Sequence, residues 1–357
     1  MKAIGRGKRI WFVVCAVLLI AALGCGLAMR VLSGRLLSQQ EAERWRGESE
    51  QEYCQVSAFL PTPSSVDLQG IYTFRYAVLD ALTAVGFEWR EDVLPFVDAW
   101  SCEGKLSISG ENAATDAPVV AVGGQFFEFH PLRLLDGSYL AEGDLSPDRV
   151  LLDEQLAWEL FGGTALTGMS VQINGAAFIV GGVVEREDDS ASRRAYTGEK
   201  GFFMPYDAYR AISGQSGISC YEVVLPEVVK GYSAQLVADS FPLGGGESVV
   251  NTDRFGMERL LALARDLPAR ASHGGAVSYP YWENAARITE NECAALALAM
   301  LVLSLPVAIT ALVEIFRALS RGKTALEEKV IPRAKDRVEE AVRVRARRRW
   351  EKKHGGK

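Results

Sequence analysis

Apolar and polar positions alternate with several distinct periods along this chain, and in two places charge disappears altogether. Residues 10–29 and 293–313 are runs of 20 and 21 positions without an Asp, Glu, Lys or Arg. About 20 residues at 1.5 Å rise cross a hydrocarbon core, so both runs predict transmembrane helices, over residues 10–32 and 293–316. Between them the pattern shortens. Residues 55–60 read as a strand, Ile71, Phe74, Val78, Leu82 and Val85 recur at helical spacing, and 105–109 and 118–122 return as strands. Strand, helix, strand in that order predicts a crossover unit with the helix on one sheet face. Asp153 is an N-cap ahead of Leu156, Ala157, Leu160 and Phe161, with Gly162 placed to stop the helix. Met169, Val171 and Ile173 alternate up to Asn174-Gly175, and Ala176, Phe178 and Val180 alternate back, which predicts a two-residue hairpin. Helices over 206–212, 233–241 and 254–266 then interleave with strands at 221–225 and 248–251. The charged run 38–55 predicts a helical stalk, and 185–200 an exposed, mobile loop.

These elements predict an α+β domain of two lobes between two transmembrane α-helices. The α/β stretches before Gly123 and after Cys220 combine into a mixed sheet lobe, and the hairpin-containing lobe, about residues 124–215, is inserted between them. The domain then covers residues 33–292. Charge supplies an orientation. Residues 1–29 hold four basic and no acidic side chains, and 314–357 hold 15 basic against seven acidic. Removing those +4 and +8 contributions from the chain's −6 leaves −18 for residues 30–313. Basic flanks stay in the cytoplasm, so the N-terminus 1–9 and the tail 317–357 are expected inside and the acidic domain outside. Such a domain argues against a nucleic-acid partner. In the tail, Val330, Ala334, Val338 and Val342 are spaced by four, which predicts a helix; its basic surplus fits anionic lipid headgroups or a solvated positive-inside tail. The first apolar run also fits a signal peptide or a lipoprotein leader around Cys25, though it exceeds the usual h-region length, and an uncleaved anchor is the favoured reading. Pro306 inside the second run sits better in a membrane helix than in a soluble core helix.

Candidate chemistry changes this picture little. Of six cysteines, Cys54, Cys102 and Cys220 fall in the exterior domain; Cys54 and Cys102 each precede a strand, so a bond between them is one reading and free buried thiols the favoured one. His130, His273 and His354 show no metal-ligand spacing, and His130 reads as a packing or turn residue. Gly322-Lys323-Thr324 lacks the earlier glycine of a phosphate-binding loop, since position 317 is Arg. Residues 185–189 lack the alternating ligands and central glycine of a calcium loop. No catalytic, cofactor-binding or metal-binding residue is predicted, and the chain is not read as an enzyme.

One ordered series of motifs is recognisable. Gly124-Gln125-Phe126-Phe127, then residues 130–137 (His-Pro-Leu-Arg-Leu-Leu-Asp-Gly), residues 148–153, Ala157-Trp158-Glu159-Leu160-Phe161-Gly162, Gly168-Met169, Ile173-Asn174-Gly175 and residues 178–184 resemble the MacB-like periplasmic core domain of FtsX-like ABC transporter permeases. The resemblance makes Gly124, Phe126, Pro131, Leu132, Gly137, Asp153, Ala157, Phe161, Gly162, Gly168, Asn174, Gly175, Gly181 and Val183 structural signature positions that turn chains and cap elements. It implies a partner-binding exterior domain moved by a separate ABC ATPase, with an extracytoplasmic protein or peptide as partner. A family permease has three helices after this domain where one is found here, so the resemblance is to a reduced form, with a complete permease beside it. A stand-alone membrane-anchored binding or scaffold protein is the alternative.

Overall fold

The computed structural model describes residues 6–90, 93–144, 146–196, 200–270, 277–325 and 331–354. The chain forms two compact units: Ala28–Ala297, and Met1–Leu27 with Leu298–Lys357.

Helix α1 (Arg6–Gly34) is followed by a 3₁₀ turn at Leu37–Gln39 and the short helix α2 (Glu41–Arg46). No helical stalk forms, because the charged run folds back onto the domain. Ser38, Gln39, Glu41 and Ala42 are buried, and the Gln55 amide donates to the Ser38 carbonyl (2.7 Å) while accepting from the Glu41 amide (3.0 Å). Strand β1 (Tyr53–Phe59), helix α3 (Leu68–Ala84) and strand β2 (Val97–Ser109) form the crossover unit, β2 starting eight residues earlier than its apolar run suggests. Helix α3 begins where Asp67 accepts from the Gly70 amide, an N-cap bond, and it buries the helical stripe Ile71, Phe74, Val78 and Leu82.

Strand β3 (Ala114–Gly124) and the single turn α4 (Phe126–Phe129) lead into β4 (Arg133–Gly137), a strand where the sequence suggested only a turn. Then follow β5 (Arg149–Asp153), α5 (Glu154–Phe161), β6 (Ser170–Ile173) and β7 (Ala176–Glu185). The hairpin forms in the expected register, Ile173 opposite Ala176, with φ of 48° at Asn174 and 83° at Gly175; positive φ at both positions is what a type I′ turn demands. After β7 the charged segment forms a helix where a loop was expected; residues 197–199 of that loop lie outside the described residues. Asp189 caps helix α6 (Ser190–Ala195), which buries Ala191 and Ser192. Strand β8 (Phe202–Pro205), helix α7 (Tyr206–Ser213), strand β9 (Cys220–Pro226), helix α8 (Tyr232–Ser240), strand β10 (Glu247–Val250) and helix α9 (Met257–Arg270) complete the domain. Helix α10 (Tyr281–Ala325) follows, then α11 (Ile331–His354).

All ten strands share one sheet in the order β10-β1-β9-β2-β3-β8-β5-β7-β4, with β6 pairing both β7 and the end of β2. The first four positions are two interleaved strand-helix-strand units, β1-α3-β2 and β9-α8-β10, with β9 antiparallel to both β1 and β2. That is the split βαβ arrangement of ferredoxin-like folds. The segment from β3 to β8 is inserted between its two halves and extends the sheet, joined by the antiparallel β2–β3 ladder and the parallel β3–β8 pair. One face of the core sheet packs under α3 and α8 through Val56, Phe74, Val78, Val223, Leu225 and Phe241. The other face meets α2, α4 and the start of α10 through Ala42, Phe59, Phe126, Val224 and Trp282.

The second unit pairs the apolar parts of α1 and α10. Trp11 Nε1 donates to Thr310 Oγ1 (2.9 Å), Lys8 lies 3.7 Å from Glu314, and a Cβ on Gly26 would touch Met300. The two run antiparallel, so the chain enters and leaves the pair at the same end. Ile20, Leu23, Leu27, Leu312 and Phe316 are each at least 65% exposed. Helices apolar on their outward faces need a hydrocarbon solvent, which rules out the core-helix reading of the second run.

Candidate functional site

Strand alternation sends odd and even residues to opposite faces, and along β1 and β9 the two sets differ in chemistry. Val56, Ala58, Tyr221, Val223 and Leu225 join the α3 side. Gln55, Ser57 and Glu222 point the other way, buried to 2% exposure or less. A buried carboxylate must be paired or hydrogen-bonded, and this one is. Glu222 Oε1 accepts from Ser57 Oγ at 3.1 Å, Ser57 Oγ accepts from Asn251 Nδ2 at 2.7 Å, and Glu222 Oε2 lies 2.5 Å from His130 Nε2. His130 is thus a bonded core residue rather than a turn residue. Its ring sits 4.4 Å, centroid to centroid, from Trp282 of α10.

The seam continues into an ion cluster. The turn after β10 holds Asp253 at φ 58° and places Arg254, 1% exposed, beneath the sheet. Its guanidinium donates to both carboxylate oxygens of Glu283 (2.7 and 2.8 Å), to Glu290 Oε2 (3.2 Å) and to Gln39 Oε1 (2.8 Å). Nε lies 2.9 Å from Glu290 Oε1, close enough for an ion pair though not aligned for a hydrogen bond. Fork-on-fork pairing of this kind is the strongest geometry available to arginine. Burial alone would lower the arginine's pKa; Glu283 and Glu290 overcome it, raise the pKa and hold the group charged. Arg287 also donates to Glu283, at 2.7 Å. One guanidinium therefore joins three segments: the turn after β10, the residues following α1, and the first turns of α10. A recess of about 620 Å³ opens beside it, bordered by Arg30, Gln40, Glu43, Arg46 and Asp253. Nearby, burial pushes the Glu41 carboxyl up from 4.5 to about 7 against the pull of its partner Arg44.

The signature positions lie elsewhere and do not converge on one cavity. Gly124, Gly137, Gly162, Gly168 and Gly175 have φ between 63° and 89°, the left-handed region glycine adopts freely. At Gly137 and Gly181 a side chain would also strike a neighbour, the Gly181 carbonyl and the Arg149 guanidinium respectively. Asp153 caps α5 by accepting from the Leu156 amide (2.7 Å), and its other oxygen pairs with Arg186 (2.5 Å). Ala157, Leu132 and Val183 are buried, and Pro131 and Phe161 half-buried. Phe126 reaches the seam edge-on to Trp282 at 5.7 Å, and Pro131 and Leu132 border it.

Cys54, Cys102 and Cys220 are free and buried. Burial pushes the Cys54 and Cys102 thiols up to about 12. Strand β9 runs between their strands, and Cys54 faces Leu225 while Ser101, next to Cys102, faces Cys220. The two are two strand spacings, about 9.5 Å, apart across the sheet and displaced along it, so they cannot bond. Among the described residues no group of three His, Cys, Asp or Glu side chains is placed to hold a metal ion.

Sequence reasoning missed Arg254, Glu283, Glu290 and Glu222. A signal existed for three of them. Glu222 interrupts an otherwise apolar strand, and Glu283 and Glu290 lie seven apart, on one helix face, just before an apolar run.

A family profile described as "MacB-like periplasmic core domain" matches residues 13–238, from within α1 to α8. Among solved structures, the periplasmic region of MacB from Actinobacillus actinomycetemcomitans is similar at 16% identity, with a TM-score of 0.42, covering 66% of this chain and 100% of that one. The extracellular domain of the noncanonic ABC-type transporter YknZ from Gram-positive bacteria is similar at 15% identity, with a TM-score of 0.38, covering 56% and 99%. No curated protein matches. With the profile spanning well over half its length and apolar helices on either side of the matched domain, this chain belongs to the family of membrane proteins that carry a MacB-like periplasmic core domain.

Proposed function

We propose that the chain is a membrane subunit of an ABC-type envelope complex, whose extracytoplasmic domain binds a protein or peptide and moves when a separate cytoplasmic ATPase acts through the membrane helices. The observation that carries this reading is Arg254. It fastens the sheet to α10, and α10 is one helix from Tyr281 into the apolar segment. A helix whose first turns are clamped by a buried ionic pair gives the membrane segment that follows it in the chain a direct covalent route to the sheet. In this reading both basic termini are cytoplasmic, in keeping with the antiparallel apolar pair and the charge distribution.

The test is purification of the tagged full chain from its native membranes in mild detergent. An ATP-hydrolysing subunit should accompany it in fixed ratio, and Arg254→Met should keep that subunit while abolishing any nucleotide-dependent change in the domain's protease sensitivity. A lone, stable protein with no ATPase overturns the proposal. That outcome favours the second reading, a membrane-anchored binding or scaffold protein, which draws on the two apolar helices found among the described residues. An epitope at the C-terminus should be protected from protease in intact cells; cleavage there refutes the assigned orientation.

A further inference from the structure

Helix α11 is 24 residues long and carries ten Arg and Lys against four acidic residues. Four of its described cations gather on one side of the axis, while Arg337, Arg343 and Arg347 point elsewhere. At about 100° per residue, Ala334, Val338, Ala341 and Val342 share one face, and Lys335, Arg345, Arg348 and Arg349 lie within about 80° of Val338. Glu339 and Glu340 lie on the other side, where Glu339 pairs with Arg343 at 3.9 Å. Val338 and Val342 are 62% and 59% exposed. A soluble helix does not usually leave its apolar residues uncovered on the same side as its cations. A helix lying in a membrane interface does, with the apolar side chains entering the acyl boundary and the basic ones meeting lipid phosphates. The position fits as well. Only five residues separate α11 from the end of α10, a link that reaches at most about 20 Å, so α11 is held against the surface of whatever bilayer α10 crosses.

We propose that α11 is an interfacial helix that binds the anionic lipid leaflet beside α10 through its Val338 face. It thereby fixes the direction in which α10 leaves the membrane. The partner is a lipid surface with negative headgroups, and the recognition is charge and apolar burial rather than a specific headgroup.

The experiment uses the full chain in nanodiscs of phosphatidylcholine alone or with about a third phosphatidylserine, read by amide hydrogen exchange of α11. Each basic residue near an anionic surface strengthens binding by about fivefold, so exchange over residues 334–349 should slow at least about tenfold in anionic discs. Arg345→Glu with Arg349→Glu should remove that protection, and so should high salt, whereas Glu339→Gln with Glu340→Gln should keep it. The substituted residues are exposed, so folding of the domain, followed by exchange in β1 and β9, serves as the internal control. Equal exchange in the two kinds of disc overturns the proposal. So does protection that arises only when a second protein subunit is added, which would make the face a protein dock.

Discussion

The two faces of one sheet are held in different ways. Under α3 and α8 the contacts are mostly apolar, with Phe74 set edge-on to both Tyr221 and Phe241; the ion pair there, Arg75 with Asp98, has its arginine 16% exposed. Against α2, α4 and α10 the same strands present Gln55, Ser57 and Glu222, closed off by His130, Asn251 and Arg254. Apolar burial is non-directional and fixes a face without fixing its angle. A bidentate ion pair constrains direction, and the hydrogen bonds from Asn251 to Ser57 and from Ser57 to Glu222 add further directional contacts. Each face holds one bidentate pair, Arg75 with Asp98 under α3 and Arg254 with Glu283 opposite, and the face turned toward the residues that enter the apolar helices carries the more extended polar seam, through Ser57, Glu222 and His130.

Arg254→Met separates the faces most sharply. It removes the bidentate partner of Glu283 and the nearest cation of Glu290 in the core, and should destabilise the chain by about 3–5 kcal/mol, measured by chemical denaturation in nanodiscs. Phe74→Ala on the apolar face should cost a similar amount, about 3–5 kcal/mol, yet leave the salt and pH dependence of unfolding unchanged. Replacing Arg254, Glu283 and Glu290 together by Met or Leu should recover most of the loss, because an apolar triad of like volume is often no worse than a buried ionic one.

The apolar face was the legible one. Ile71, Phe74, Val78 and Leu82 announced α3 by spacing alone, and the Asn174-Gly175 turn and the Asp153 cap formed as read, since each depends only on near neighbours in sequence. The crossover unit and the return of its pattern after Cys220 followed from the order of the elements, but the ferredoxin-like strand order did not, because it depends on pairing between distant strands. The polar seam was not legible. Its members, Gln39, Ser57, His130, Glu222, Arg254 and Glu283, are scattered over the chain, and a charge run such as 38–55 looks solvated until tertiary contacts bury it. Strand β4 was missed for a related reason: its partner, β7, lies far along the chain and leaves its residues only half-buried.

Smaller effects refine the contrast. Glu222→Leu should cost on the order of 2–3 kcal/mol by leaving His130 and Ser57 without their acceptor, and a Leu in the apolar neighbourhood of β9 offsets little of it. Gly175→Ala, at φ 83° with open space around the added carbon, should cost about 1–2 kcal/mol through backbone conformation alone. A separate effect is a pH dependence at Glu41. Its folded value, about 7, lies above the unfolded 4.5, so the folded chain keeps a proton that the unfolded chain releases across that window. Stability should therefore fall as pH rises from about 4.5 to 7 and level off above it, and Glu41→Gln should flatten that slope.

The most direct test of the face with the polar seam is a double-mutant cycle between Arg254 and Glu283, unfolding the full chain in nanodiscs as wild type, Arg254→Met, Glu283→Leu and the pair. A buried bidentate pair predicts that the double variant is more stable than the sum of the two single losses by at least about 2 kcal/mol. Additivity within about 0.5 kcal/mol would contradict it, and would mean that Arg254 does not fasten the sheet to α10.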